Sequence, residues 1–240
     1  VFNYCSNMGR GGARGGFCER GTVIPSNLRV IPGTVSDEEA CFTEPLACCI
    51  NGARKSDIRT GDDVVVVGAG PIGLLHTQLA KHHGARVIVC DRIEGRLHKA
   101  LEVGADDAIR IDEQNPVDAV MEMTDSRGAN VIVVAVGVTA AAETALEMAG
   151  INATVNLFAG FYPSDPIALD PNLIHYKQIN LTGSHDFTPH DFTSALKLID
   201  HGIVDVETLI SHRLPLEETA AGFETVDRRE GLKVVIEIAA

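Results

Sequence analysis

Between Asp63 and Gly183, short apolar runs alternate with stretches whose apolar positions recur every three or four residues. The runs are "VVVV" (Val64–Val67), "ARVIVC" (Ala85–Cys90), "DAIRI" (Asp107–Ile111), "NVIVVAV" (Asn130–Val136), "ATVNLF" (Ala153–Phe158) and "INLTG" (Ile179–Gly183). They are rich in β-branched residues and mostly apolar at successive positions, as a strand covered on both faces requires. The stretches between them predict helices over Ile72–His83, Gly95–Val103, Pro116–Met123, Thr139–Ala149 and Pro171–Tyr176. Pro116 and Pro171 suit a first helical turn, where the missing N–H would have had no intrahelical partner. Six strands separated by five helices predict an α/β fold: a doubly wound parallel sheet in the order 3-2-1-4-5-6.

After Gly183 the alternation loosens. A helix over Pro189–His201 is followed by the strand-like "TLISHRLPL", a helix near Leu216–Asp227 and the strand "GLKVVIEI". Residues 1–45 and 184–240 are therefore expected to form pieces of a second domain around a sheet domain at 46–183. No internal repeat is visible.

Composition narrows the function classes. The chain is 45% hydrophobic and lacks the run of about 18 uncharged apolar residues that a spanning helix needs, which predicts a protein without membrane attachment. A net charge of −13 disfavours tracking a nucleic-acid backbone, because that requires a positive surface to displace counterions. The tract "GRGGARGG" (Gly9–Gly16) is accordingly read as a surface loop, not an RNA-binding element. Six scattered cysteines make no disulfide framework and predict reduced thiols in the cytoplasm. "VFNYCSNMGRGG" has neither the basic nor the apolar region of a secretory leader.

The chemistry concentrates in "VVVVGAGPIG", where Gly68, Gly70 and Gly73 follow a strand and open a helix. Gly68 makes the tight turn, Gly70 lets the backbone approach a pyrophosphate, and Gly73 lets helix and strand pack closely. Pro71 and Ile72 complete the turn, with the positive end of the helix dipole facing the phosphates. Asp91 closes the second strand 18 positions after Gly73 (91 − 73). A carboxylate there accepts from the adenosine ribose hydroxyls and repels a 2′-phosphate, so NAD is favoured over NADP. Arg92 beside it could soften that preference. Ligands of such sheets sit beyond the carboxyl ends of the strands at the switch point. Val136, Gly137 and Phe158-Ala159-Gly160, at the ends of the fourth and fifth strands, are thus candidate neighbours of the nicotinamide.

The ordered series "GGFCERGTVIPSNLRVIP", "VSDEEACFTEPLACCINGARK", "GDDVVVVGAGPIGLL", "DRIEGRLHKALEVGADDAI", "IHYKQINLTGS" and "LISHRLPLEETAAGFE" resembles the medium-chain dehydrogenase/reductase family, in its zinc-dependent sorbitol (iditol) and threonine dehydrogenase group. The resemblance implies a Rossmann domain with remnants of a GroES-like catalytic domain from both chain ends. It implies NAD and a catalytic zinc that polarises a secondary alcohol while hydride passes to nicotinamide. It places cofactor contacts on Ile72, Asp91, Arg96, Leu157, Phe158 and Ala159. Ser184, His185 and Asp186 would lie in the segment that closes over nicotinamide and substrate. Glu44, of the "EPL" motif, would stand at the catalytic zinc. Cys5 would be the fourth cysteine of a structural zinc lobe whose other three precede Val1. The remaining catalytic ligands, a Cys and a His-Glu pair, are expected N-terminal to this sequence, and one carboxylate alone does not hold zinc. Departures from the family pattern are Val134, where an acidic residue is frequent, and Ile151-Asn152, in place of a Gly-Gly turn. Asn tolerates the left-handed conformation, so the fold should survive.

Each candidate also has a plainer reading. Glu44 suits any helix N-terminus. Cys48 and Cys49, about 100° apart on a helix, read as core thiols, as does Cys90. His82-His83 suit a helix end, whereas His185 lies near the expected nicotinamide position and is a catalytic candidate. The leading expectation is an NAD- and zinc-dependent dehydrogenase of a polyol or sugar alcohol, acting as a homodimer or homotetramer. A catalytically inactive NAD-binding fragment, a threonine 3-dehydrogenase-like enzyme and a zinc-independent reductase are the alternatives.

Overall fold

The computed structural model describes residues 16–20, 25, 28–163 and 165–238. Cys5, and residues 9–15 of the Gly/Arg tract, lie outside the described residues. The chain forms two compact units, one from residues within Val1–Ala47 and Asp186–Ala240, the other from Cys48–His185.

The unit Cys48–His185 is a six-stranded sheet in the order β3-β2-β1-β4-β5-β6. Its strands are β1 (Asp63–Val67), β2 (Arg86–Asp91), β3 (Asp107–Arg110), β4 (Ala129–Val134), β5 (Ala149–Leu157) and β6 (Asn180–Gly183), and every neighbouring pair is parallel. Every residue of β1 is buried, which explains its unbroken valine run: successive side chains point to opposite faces, and both faces are covered. One face carries Val65, Val67, Ile88, Ile109, Ile132, Val134 and Val155, packed with Val120, Leu146 and Met148 of the helices Pro116–Met123 and Thr139–Met148. A helix over Pro71–His82 packs on β1 and β2, and one over Glu94–Glu102 packs on β2 and β3.

The expected elements are all present, with one informative difference. β5 begins at Ala149, not Ala153, because the helix Thr139–Met148 passes straight into the strand. Asn152 sits at φ +60, and the β4–β5 register shifts between Ala129 and Val131. Asn152 thus takes the left-handed conformation through which a bulge admits the extra residues. In the second unit β7 (Ile210–Pro215) and β8 (Lys233–Glu237) pair in parallel, joined through the helix Thr219–Asp227. A Cβ on Gly222 of that helix would meet side-chain atoms of Leu214, Val234 and Ile236 at 3.3–3.4 Å. In the same unit Ser36 and Glu39 form a capping box on the short helix Asp37–Ala40, and Arg213 clasps Glu38 at 2.7–2.9 Å.

In chain order the helices are α1 (Asp37–Ala40), α2 (Thr43–Ser56), α3 (Pro71–His82), α4 (Glu94–Glu102), α5 (Pro116–Met123), α6 (Thr139–Met148), α7 (Pro171–Lys177), α8 (Pro189–Asp200) and α9 (Thr219–Asp227). None of the described helices is long and apolar enough to cross a membrane.

Candidate functional site

The turn between β1 and α3 is built by its three glycines. Gly68 sits at φ +102, where a side chain is strained, and its N–H donates to the Cys90 carbonyl at 2.8 Å. Gly70 is the N-cap of α3 in extended conformation, without a side-chain cap, and Pro71 occupies the first turn. The Ile72 and Gly73 N–H groups belong to the first helical turn, which leaves its amides without intrahelical acceptors. A Cβ on Gly73 would lie 1.7 Å from the Gly68 carbonyl oxygen, so helix and strand are in backbone contact. Gly70 opens onto Arg96, whose Nη1 is 4.0 Å from where a Gly70 Cβ would stand.

Asp91 stands beside this turn. Its Oδ2 accepts from the Ala69 N–H at 2.6 Å, and its Oδ1 accepts from the N–H groups of Arg92 and Ile93 at 2.7 and 2.9 Å. Three backbone amides therefore fix the carboxylate at the mouth of the glycine turn. Arg92 turns away to pair with Asp112 at 3.2 Å, so its charge is already engaged by a carboxylate.

At the reversal point of the sheet, Val136 packs against Gly68: a Cβ on Gly68 would sit 3.4 Å from that of Val136. The loops after β4 and β5 touch where a Gly137 Cβ would lie 2.2 Å from the Gly160 carbonyl oxygen. The Phe158 and Ala159 N–H groups both donate to the Val134 carbonyl, at 3.1 and 3.0 Å. Leu157 pairs in register with Gly183, which brings the end of β6 alongside.

Of the residues singled out in the sequence, Gly68, Gly70, Pro71, Ile72, Gly73, Asp91, Arg92 and Arg96 converge at the ends of β1 and β2. Val136, Gly137, Leu157, Phe158, Ala159, Ser184 and His185 gather at the ends of β4, β5 and β6. Two of these side chains are turned inward. The Phe158 ring meets His76 edge-on at 4.5 Å between centroids, leaving its backbone as the part available at the strand ends. The Ser184 hydroxyl is buried and donates to Asn156 Oδ1 at 3.1 Å. His185 is exposed. Glu44, in the first turn of α2, and Asp186, whose Oδ1 accepts from the Phe187 N–H at 2.9 Å, belong to the other unit.

Of the three cysteines read as core thiols, Cys49 and Cys90 are buried and Cys48 is half-buried, because its side chain leaves α2 at a different angle from that of Cys49. Cys49 is buried with its sulfur 3.9 Å from the Ile72 carbonyl oxygen. Burial, with Asp91 adding to it, pushes the Cys90 thiol up to about 12, which keeps it protonated and inert.

Two buried polar residues escaped the sequence reading. His76, on α3, is 1% exposed, and neither ring nitrogen has a hydrogen-bond partner. Burial drives its pKa down to about 3. Gly52 makes room for it, since a Cβ there would lie 3.0 Å from both His76 Cε1 and Phe158 Cδ2. Asn156 lies fully buried in β5. A polar residue inside "ATVNLF" and a histidine inside "IGLLHTQLA" were the available signals.

A glycine turn on a helix N-terminus, with an amide-fixed carboxylate at the end of the next strand of a 3-2-1-4-5-6 sheet, defines a Rossmann unit of the dinucleotide type. The zinc-binding dehydrogenase family profile matches residues 71–201, and the chain belongs to that family. It is 35% identical to a sorbitol dehydrogenase of Halalkalibacterium halodurans, over 98% of this chain and 69% of that protein. An alcohol dehydrogenase from Escherichia coli CFT073, solved with NADH, superposes with a TM-score of 0.82 at 29% identity, over 88% of this chain and 63% of the other. A protein of Sinorhizobium meliloti 1021, described as a zinc-binding dehydrogenase and bound to NADP, gives a TM-score of 0.80 at 27% identity, over 88% and 61%. The chain thus spans between three fifths and seven tenths of these relatives' lengths.

The arrangement fits a dinucleotide: Gly70 keeps the loop open, the amides of the first turn are available, and a cation and a carboxylate stand at its two sides. It does not by itself fit zinc, since no three His, Cys, Asp or Glu side chains converge among the described residues.

Proposed function

We propose that the chain binds NAD through Cys48–His185 and serves the oxidation of a secondary alcohol, a polyol or sugar alcohol, to the ketone. The observation that carries this reading is the Asp91 carboxylate held by three amides at the mouth of the Gly68–Gly73 turn. The amides at the start of α3, with the helix dipole behind them, hold the pyrophosphate, and Arg96 adds a positive charge beside it. Asp91 accepts from the adenosine ribose and disfavours a 2′-phosphate. Bound there, NAD supplies the hydride acceptor. The loops after β4 and β5 present backbone to the nicotinamide half, and His185 is the proposed acceptor of the alcohol proton. Glu44 is proposed as a zinc-proximal carboxylate.

The chain contains no tryptophan, so enhancement of NADH fluorescence on binding is read without indole background. NADH is expected to bind saturably and more tightly than NADPH. In Asp91→Asn the preference for NADH over NADPH should shrink about tenfold, equivalent to roughly 1.4 kcal/mol. Absence of NADH binding by the unaltered protein would overturn the reading. Activity is assayed with sugar alcohols, following NADH formation with and without added zinc.

A further inference from the structure

The end of β6 is held by an unusual set of side chains. As the outermost strand, β6 has one ladder partner among the described residues, β5, so the residues that follow it need other tethers. α2 supplies them from its face toward the sheet. Lys55 Nζ donates to the Gly183 carbonyl at 3.1 Å, and Asn51 Nδ2 donates to the His185 carbonyl at 3.3 Å. Between these two, Asn156 spans the gap. Its Nδ2 donates to the Gly52 carbonyl at 3.2 Å and to Ser56 Oγ at 3.0 Å, while its Oδ1 accepts from Ser184 Oγ at 3.1 Å. Ser56 Oγ in turn donates to the Gly52 carbonyl at 2.9 Å.

Both amide hydrogens of Asn156 are used against acceptors on α2, and its oxygen is used against a donor after β6. This fixes which way the amide points. Asn156, Ser56 and Ser184 are all buried, so each unmade bond would leave a polar group without water. Three consecutive residues, Gly183, Ser184 and His185, are therefore gripped through a carbonyl, a hydroxyl and a carbonyl, while the His185 side chain stays exposed. A sheet that only needed a filled core would be served by an aliphatic residue at position 156, as at Val155 beside it.

We infer that Asn156 is a positioning residue that, through Ser184, sets the segment Gly183–His185 against the nicotinamide half of the cofactor; the inference rests on the cofactor reading above. In a doubly wound sheet the half carrying β1, β2 and β3 receives the adenosine, and the half carrying β4, β5 and β6 receives the second nucleotide. Asn156 lies on β5 in the second half, and its hydrogen bonds run to Ser184 after β6 and to Gly52 and Ser56 of α2, not to the glycine turn or Asp91. Its loss should loosen the grip on nicotinamide and leave the adenosine end alone.

The test compares NADH with ADP-ribose, which lacks the nicotinamide, by titration calorimetry on the full chain, with bound-NADH fluorescence alongside. In Asn156→Leu, NADH should bind about tenfold more weakly and lose most of its fluorescence enhancement, with ADP-ribose affinity changed less than about twofold. Val155→Ala, one residue away and on the other face of β5, should lower the melting temperature without moving either affinity. If Asn156→Leu does not fold, Lys55→Met, on the exposed side of the same grip, should shift NADH alone by about threefold. Equal weakening of both ligands, or no weakening of either, overturns the positioning role while the cofactor reading stands. Failure of the unaltered protein to bind both ligands removes the cofactor reading and this inference with it.

Discussion

Gly73→Ala is expected to destabilise the protein by upward of about 3 kcal/mol and to abolish NADH binding. In a helix, glycine to alanine ordinarily stabilises by roughly 1 kcal/mol, because alanine loses less backbone entropy on folding. Here the added methyl would stand 1.7 Å from the Gly68 carbonyl oxygen and 2.9 Å from its carbon, both backbone atoms. Neither can swing aside like a flexible side chain. The first turn of α3 must then lift from β1, which carries its free-end amides, the proposed pyrophosphate donors, away from the carboxylate at Asp91. Gly95→Ala is the matched control: Gly95 also lies near the start of a helix, α4, with nothing within 4 Å of its Cβ position. It should gain up to about 1 kcal/mol. Urea titration of both variants decides the matter, and a Gly73→Ala midpoint at or above that of the unaltered protein would show that helix and strand do not touch as described.

His76→Leu should flatten the loss of stability in acid. The imidazole is fully buried, and burial lowers its pKa from 6.5 to about 3. Folding therefore favours the neutral ring. Its full stability is present above the unfolded value near 6.5, falls as the pH drops, and levels off below 3, where both states bind the proton. From that shift the protein forfeits about 2 kcal/mol at about pH 5 and about 5 kcal/mol below pH 3. Leucine does not titrate, and it replaces two unpartnered ring nitrogens, so His76→Leu should be at least as stable near neutrality. The check is urea unfolding of both proteins at neutral pH and near pH 5. Parallel losses in the two would mean that the acid sensitivity arises elsewhere.

The sheet was legible because a strand buried on both faces has little choice but β-branched residues, and the interruptions between such runs are helical. The pattern could not show where β5 starts. Its early residues include exposed Ile151 and left-handed Asn152, and a bulge obeys the partner strand more than its own sequence. Nor could it show that β7 and β8 pair in parallel, since strand direction depends on the connecting path. The glycine turn was readable because each glycine answers a local demand, a positive φ at Gly68 and a close contact at Gly73. Asn156 and His76 were not, because what they mean depends on residues far away in the chain. Asn156 meets Gly52 across 104 positions, and His76 fits only because Gly52 lacks a side chain. Phe158 shows the converse: its position at a strand end was foreseen, but its ring turns onto a histidine that no local pattern connects with it.

The bond from Asn51 to the His185 carbonyl has a topological consequence. It joins the first helix of the six-stranded unit to that unit's last residue, so the chain enters and leaves the unit at nearly one place. Such a segment is an inserted cassette, with little loop entropy between its ends. Its ends could be linked directly and new termini opened in a surface turn, giving a circular permutant that keeps all six strands in their order.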